Sequence, residues 1–118
     1  MLDTREDSIR FLMDVVARAF SVTPEALASR SHAREVARPR HIVCYLLRRM
    51  LGLTLSEIGR RVGRDHSTVL NSCRVVAARR RQSREFAELL TTIEQAVLSR
   101  VPRGEMAARA VLDYAAPA

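Results

Sequence analysis

At 118 residues the chain suffices for one domain with a modest core, and with aromatics at 4% and no tryptophan that core must be aliphatic, as small packed helices allow. No run matches a membrane span, no charged-then-apolar leader opens the chain, and Cys44 and Cys73 lack metal-ligand spacing, so a soluble cytoplasmic protein with two buried thiols is expected. The net charge of +7 is uneven: residues 30–84 hold fourteen arginines against three acids, and the remainder holds six arginines against ten acids. A basic segment of this kind attracts a polyanion, although a solvated surface has the same composition. All 20 basic residues are arginine, which reflects genomic composition and carries no functional weight.

In chain order, Ile9, Leu12, Met13, Val16, Ala17 and Phe20 form a helical stripe within residues 7–20. Thr23, Pro24 and Glu25 form a helix start, cap then proline, for a short helix through Leu27 and Ala28. Residues 29–38 lack a sustained period and are basic, which predicts a loop or arm, either a DNA-contacting arm or a solvated connector. Pro39 is expected to start the next helix, which runs to about Leu51 with Ile42, Val43, Leu46, Leu47 and Met50 inward and Gly52 as its stop. Arg40 and His41 fall in its first turn, where free amides favour an anion, and Arg48 and Arg49 are left for a second stretch of backbone.

Residues 54–79 organise the rest. Leu55, Ile58 and Val62 recur at helical spacing, Thr54 and Glu57 make a capping box, and Gly59 lies on the face where a neighbouring helix could come close. Gly63 breaks the pattern, and a second helix over about 65–78 turns Val69, Cys73, Val76 and Ala77 inward. Two short helices joined by a tight glycine-containing turn read as a helix-turn-helix, whose second helix enters the DNA major groove. After Arg79, Arg80 and Arg81 a polar break at Gln82 and Ser83 precedes a last amphipathic helix carrying Phe86, Leu89, Leu90, Ile93 and Val97. Residues 1–100 are read as the domain and 101–118 as a tail, either frayed or a marginal helix for a protein partner.

On the second helix of the motif, Thr68, Asn71, Ser72 and Val75 fall opposite the inward positions, with Asp65, His66 and Ser67 at its start. Asn pairs with adenine, Ser and Thr donate or accept, and Asp accepts from a cytosine amine, so these side chains suit base edges. Asp65, Ser67 and Thr68 are equally suited to capping the helix, and one side chain can do both.

The runs VARPRHIVCYL, LTLSEIG and GRDHSTVLNSCR resemble the C-terminal duplex-binding domain of the bacterial replication initiator family DnaA, over about residues 8–100. The resemblance implies an all-α bundle of the Trp-repressor-like class around the helix-turn-helix, recognising the short boxes of replication origins. By position it implies phosphate contacts from Arg38, Arg40, His41, Arg48, Thr54, Leu55 and Ser56. It implies base contacts from Asp65, His66, Ser67 and Thr68 and a minor-groove approach by the arm from Arg30 to Arg34; Asn71, from its place on the outer face of the helix, and Arg64 are added to the DNA-facing set independently of the resemblance. The chain departs from the family by one glycine fewer before Arg64, by His32 in place of the usual minor-groove arginine, by His41 in place of glutamine, and at Asn71 and Ser72. The usual origin sequence is therefore not carried over as its target.

No phosphate-binding loop and no catalytic constellation occur in the sequence, so no enzyme, cofactor, metal or nucleotide is expected. The expectation is a sequence-specific double-stranded DNA-binding protein, nucleoid-associated and without ATPase activity, regulating transcription or replication. The other reading is an adaptor whose helical surface and tail bind a replication or regulatory protein. Met1 and a short lead-in suit an independent product, and a piece of a longer initiator would have the same sequence.

Overall fold

The computed structural model describes residues 4–99, which form six helices and no strand. These are α1 (Thr4–Ala19), α2 (Pro24–Leu27), α3 (Arg34–Leu51), α4 (Leu55–Val62), α5 (His66–Gln82) and α6 (Arg84–Ser99). The expected tail at 101–118 lies outside the described residues.

α3 is the central element, packed against α1, α2, α4 and α5, while α6 closes the bundle against α1 and α5. The core is aliphatic, as the composition requires. Leu12, Val16, Leu27, Val43, Leu46, Leu47, Leu53, Ile58, Val62, Val69, Leu90 and Ile93 are fully buried.

Most helix ends are written in the sequence. Thr23 accepts from the Ala26 amide at 3.1 Å and starts α2. The reciprocal capping box at α4 is formed, with Glu57 N donating to Thr54 Oγ1 at 3.1 Å and Thr54 N to Glu57 Oε1 at 2.8 Å. Gly52 ends α3 with φ 67° and Gly63 ends α4 with φ 67°, both in the left-handed region that favours glycine. Ser83 caps α6 by accepting from the Phe86 amide at 3.1 Å.

Three boundaries differ from the sequence reading. α3 begins at Arg34, so Pro39 lies inside it and the arm shortens to residues 29–33. Proline at this second-turn position removes one intrahelical bond, to the Glu35 carbonyl, and buries its ring in the core in exchange. α1 starts one turn earlier than expected. α5 continues through Arg79, Arg80 and Arg81 to Gln82, a turn beyond the expected end. There Arg80 is held on α6 by Glu94 at 2.8 Å and Arg79 stacks on the Phe86 ring at 4.5 Å, so tertiary contacts extend a segment with little apolar signal of its own.

Gly59 has a different role from the one its position suggested. A side chain there would collide with the carbonyl of Arg64, so it admits the helix-turn-helix turn itself rather than a neighbouring helix. The Arg64 amide donates back to the Gly59 carbonyl at 3.0 Å and locks the turn. Because the obstructing atom is backbone, Gly59→Ala is expected to destabilise the fold by about 1–3 kcal/mol in denaturant unfolding, despite alanine's better helix propensity.

Candidate nucleic-acid interface

At the start of α5 most of the side chains expected to face DNA point outward. Val69, Ser72 and Val76 are buried at three- and four-residue spacing, with Cys73 half-buried beside them. Asp65, His66, Ser67, Thr68 and Asn71 are left exposed. Ser72, read from the sequence as base-facing, is 4% exposed and belongs to the inward stripe, because the helix phase sets Ser72 rather than Ala77 beside Val69 and Val76. Val75 remains on the outside, 45% exposed.

Asp65 caps the helix, accepting from the Thr68 amide at 2.9 Å. That backbone hydrogen bond, with a second from Ser67, holds its carboxyl below the ordinary range. It is thus an ionised acceptor on the surface that caps α5.

The arm is ordered although it has no regular secondary structure. Ser29 Oγ donates to the Ala26 carbonyl at 2.7 Å, the Ser31 amide to Ser29 Oγ at 3.2 Å, and the Ala33 amide to Ser31 Oγ at 3.2 Å. Arg30 and His32 face solvent, while Ser29 and Ser31 are half-buried. His32 and Thr68 line one cleft, and Arg30 lies beside Gly63 and Arg64, so the structure brings the arm next to the head of α5.

The other site residues separate into exposed and engaged groups. Arg34, Arg38, Thr54 and Ser56 are exposed, with Leu55 half-buried at the start of α4. Arg48 is exposed and its guanidinium reaches the Leu53 carbonyl at 3.2 Å. Arg49, expected to face a second stretch of DNA backbone, pairs with Glu94 at 3.2 Å. Arg64 turns back to donate to the carbonyls of Ser29, Val62 and Gly63 at 3.0–3.2 Å.

Arg40 departs furthest from the phosphate-contact expectation. It is 4% exposed and donates to the carbonyls of Leu27, Ser31, Ser29 and Ala26 at 2.7–3.2 Å. Sequence reasoning placed it in a first turn, but with α3 starting at Arg34 it stands in the second turn, on the face that meets α2 and the arm. Burial, then the adjacent Arg64 charge, lowers its pKa from the ordinary arginine value, and arginine stays charged in proteins.

His41 is half-buried behind the arm, and burial, then the Arg40 charge, lowers its pKa below 6.5. It is therefore less readily protonated than a free imidazole. Cys44 is buried, its thiol pushed up to about 12 by burial, so it is an unreactive core group; Cys73 is raised for the same reason. Among the described residues, no cluster of three potential metal ligands occurs and no helix is long and apolar enough to cross a membrane.

The exposed arginines face outward without acidic partners over much of the basic segment. Among the described residues, Arg30, Arg34, Arg38, Arg60, Arg74 and Arg81 are exposed and form no ion pair. Others are spent on the fold: Arg61 grips Glu6 through two bonds of 2.6 Å, and Arg80 and Arg49 share Glu94.

An α-helical bundle with a capped, outward-facing second helix, a glycine-locked turn and an adjoining basic arm defines a helix-turn-helix domain of the DNA-binding class. Residues 9–76 match the model of the bacterial dnaA protein helix-turn-helix family, and the chain belongs to that family. It is 39% identical over 75 residues to the chromosomal replication initiator protein DnaA of Desulfotalea psychrophila, covering 64% of this chain and 16% of that protein. With DnaA of Psychromonas ingrahamii the identity is 35% over 86 residues, covering 72% of this chain and 19% of the relative. With that of a Thermoanaerobacter species it is 30% over 95 residues, covering 77% and 21%. The chain thus spans about a fifth of the length of these relatives.

The titrating groups predict a two-step acid response. His41 is harder to protonate when folded, so stability falls as pH drops below its unfolded value near 6.5. Glu6, Glu57 and Asp65 are easier to ionise when folded, held by Arg61, by the Thr54 amide and by the Thr68 amide respectively. Their contribution is full above the ordinary carboxylate range and is lost as pH falls through and below it. Thermal melts from pH 8 to 3 should show a shallow decline beginning near 6.5, absent in His41→Gln, then a steeper one below about 4 that remains in the variant.

Proposed function

We propose that this chain binds double-stranded DNA sequence-specifically at sites resembling the short boxes recognised by its family, and thereby regulates replication or transcription without ATPase activity of its own. The observation that carries this reading is the exposure of Asp65, His66, Ser67, Thr68 and Asn71 at the head of α5, beside an ordered arm bearing Arg30 and His32.

In this reading the head of α5 enters the major groove. Asp65 accepts from a cytosine amine, Asn71 pairs with adenine, and Thr68 offers a hydroxyl and a methyl. Arg34, Arg38, Arg48, Thr54, Leu55 and Ser56 lie against phosphates on either side, and the start of α4 adds its free backbone amides. The arm follows the adjacent minor groove, whose pattern distinguishes A·T from G·C pairs. The relatives' initiator role supports replication as the setting; their remaining four-fifths has no counterpart within the matched region.

The test is selection of bound duplexes from a random pool, followed by anisotropy titrations on the selected site and a scrambled control. His66→Ala and Thr68→Ala are each expected to cost about 1–3 kcal/mol on the selected site and far less on the control. Arg38→Ala should weaken both duplexes alike and reduce the salt slope by about one. A pool that yields no preferred sequence, or a Thr68→Ala variant with unchanged affinity and preference, overturns the reading.

A further inference from the structure

Arg40 carries a full positive charge into the bundle, yet among the described residues no acid pairs with it. Its partners are four main-chain carbonyls. Nε donates to Leu27 at 2.7 Å, one terminal nitrogen to Ser31 at 2.9 Å, and the other to Ala26 at 3.2 Å and Ser29 at 3.0 Å. These carbonyls belong to the end of α2 and to the arm.

The pattern along the arm has a directional consequence. The carbonyls of residues 27, 29 and 31 all turn inward to one guanidinium, and the alternate side chains, Ala28, Arg30 and His32, are exposed. From the opposite side, Arg64 in the helix-turn-helix turn reaches the same Ser29 carbonyl at 3.1 Å and the Ser31 carbonyl at 3.5 Å. Two guanidiniums, one from α3 and one from the turn before α5, therefore hold a single row of carbonyls. The arm's course is thereby fixed to both elements, and of the two guanidiniums that of Arg40 is buried.

We propose that Arg40 is a positioning residue that, with Arg64, sets the register of the arm against the head of α5, so that minor-groove and major-groove reading are coupled, and that it is not a phosphate contact. This rests on the DNA-binding reading above. It follows from the chemistry of the fork: a guanidinium presents five N–H donors in a plane, enough for four carbonyls in different directions, whereas an ammonium presents three from one point.

The two roles separate on substitution by lysine. A phosphate contact survives Arg40→Lys and loses about one unit of salt slope in Arg40→Ala. A positioning residue fails in both, with the salt slope unchanged and the loss confined to base pairs flanking the major-groove box. Anisotropy titrations over a salt series would use the selected duplex and a version with flanking A·T pairs changed to G·C. Trypsin cleavage after Arg30 in the free proteins reports the arm independently of DNA, with circular dichroism as the check on folding.

Arg40→Lys is expected to be cut after Arg30 at least tenfold faster than wild type and to lose its flank preference while still discriminating the box from a scrambled duplex. Arg64→Lys, at a less buried position, should move both readouts the same way and serves if the Arg40 variant does not fold. Wild-type resistance and flank preference in Arg40→Lys, or a reduced salt slope with flank preference intact in Arg40→Ala, overturns the proposal. A wild-type chain indifferent to box and scrambled duplex alike overturns the DNA reading and the coupling with it, while the cleavage rates still decide whether the clasp orders the arm.

Discussion

The close approach of the Arg64 carbonyl to Gly59 governs the geometry of this molecule. Only a residue without a β-carbon lets the chain leaving α4 fold back over that helix, and the Arg64 amide then bonds to the Gly59 carbonyl to close the turn. From that point the direction of α5 is settled, since Asp65 caps it at once and Val69, Ser72 and Val76 fasten it to α3 and α4. Among the described residues, Asp65, His66, Ser67, Thr68 and Asn71 at the head of α5 are left exposed, with the arm to one side. Five polar residues are therefore presented in one short stretch by the packing of three others.

Arginine has two uses here that composition does not distinguish. Arg40, Arg49, Arg61, Arg64 and Arg80 are structural, satisfied by carbonyls or by Glu6 and Glu94: Arg40 and Arg64 hold α2 and the arm, Arg61 ties α4 to α1, and Arg49 and Arg80 tie α3 and α5 to α6. Arg30, Arg34, Arg38, Arg60, Arg74 and Arg81 remain on the surface and make its field positive. Glu94 shows how the first set works: burial pushes its pKa up, yet the hydrogen bonds and charge of Arg80, with Arg49 beside it, bring it below the usual value. Glu94 and Glu6 offset the charges of Arg49, Arg80 and Arg61, so the positive potential a polyanion meets is smaller than a count of arginines suggests.

The sequence was informative where local chemistry decides the outcome. The Thr54–Glu57 capping box, the glycine stops at 52 and 63, the Thr23 cap and the inward stripes of α1, α3 and α6 were all legible, because each depends on residues within one or two turns. What escaped depends on partners far along the chain. Pro39 reads as a helix start, but its burial and the anchoring of Arg40 on residues 26–31 carry the helix back to Arg34. Arg40 reads as a surface cation because nothing in ARPRHI reveals that four carbonyls from upstream converge on it. Ser72 reads as polar and outward, and the phase of α5 places it inside. The serines of the arm offered a faint signal, since Ser29 and Ser31 alternate with Arg30 and His32 as a stitched segment would.

The central claim is that the outward head of α5 and the arm beside it form one surface for duplex DNA. Titrating the isotope-labelled chain with its selected duplex and following backbone amide shifts by NMR tests this most directly. The largest changes are expected at residues 65–68 and 71 and at 30–34, with the outer faces of α1 and α6 nearly unchanged. Changes concentrated around Leu98 on α6, with residues 65–68 unmoved, would contradict it.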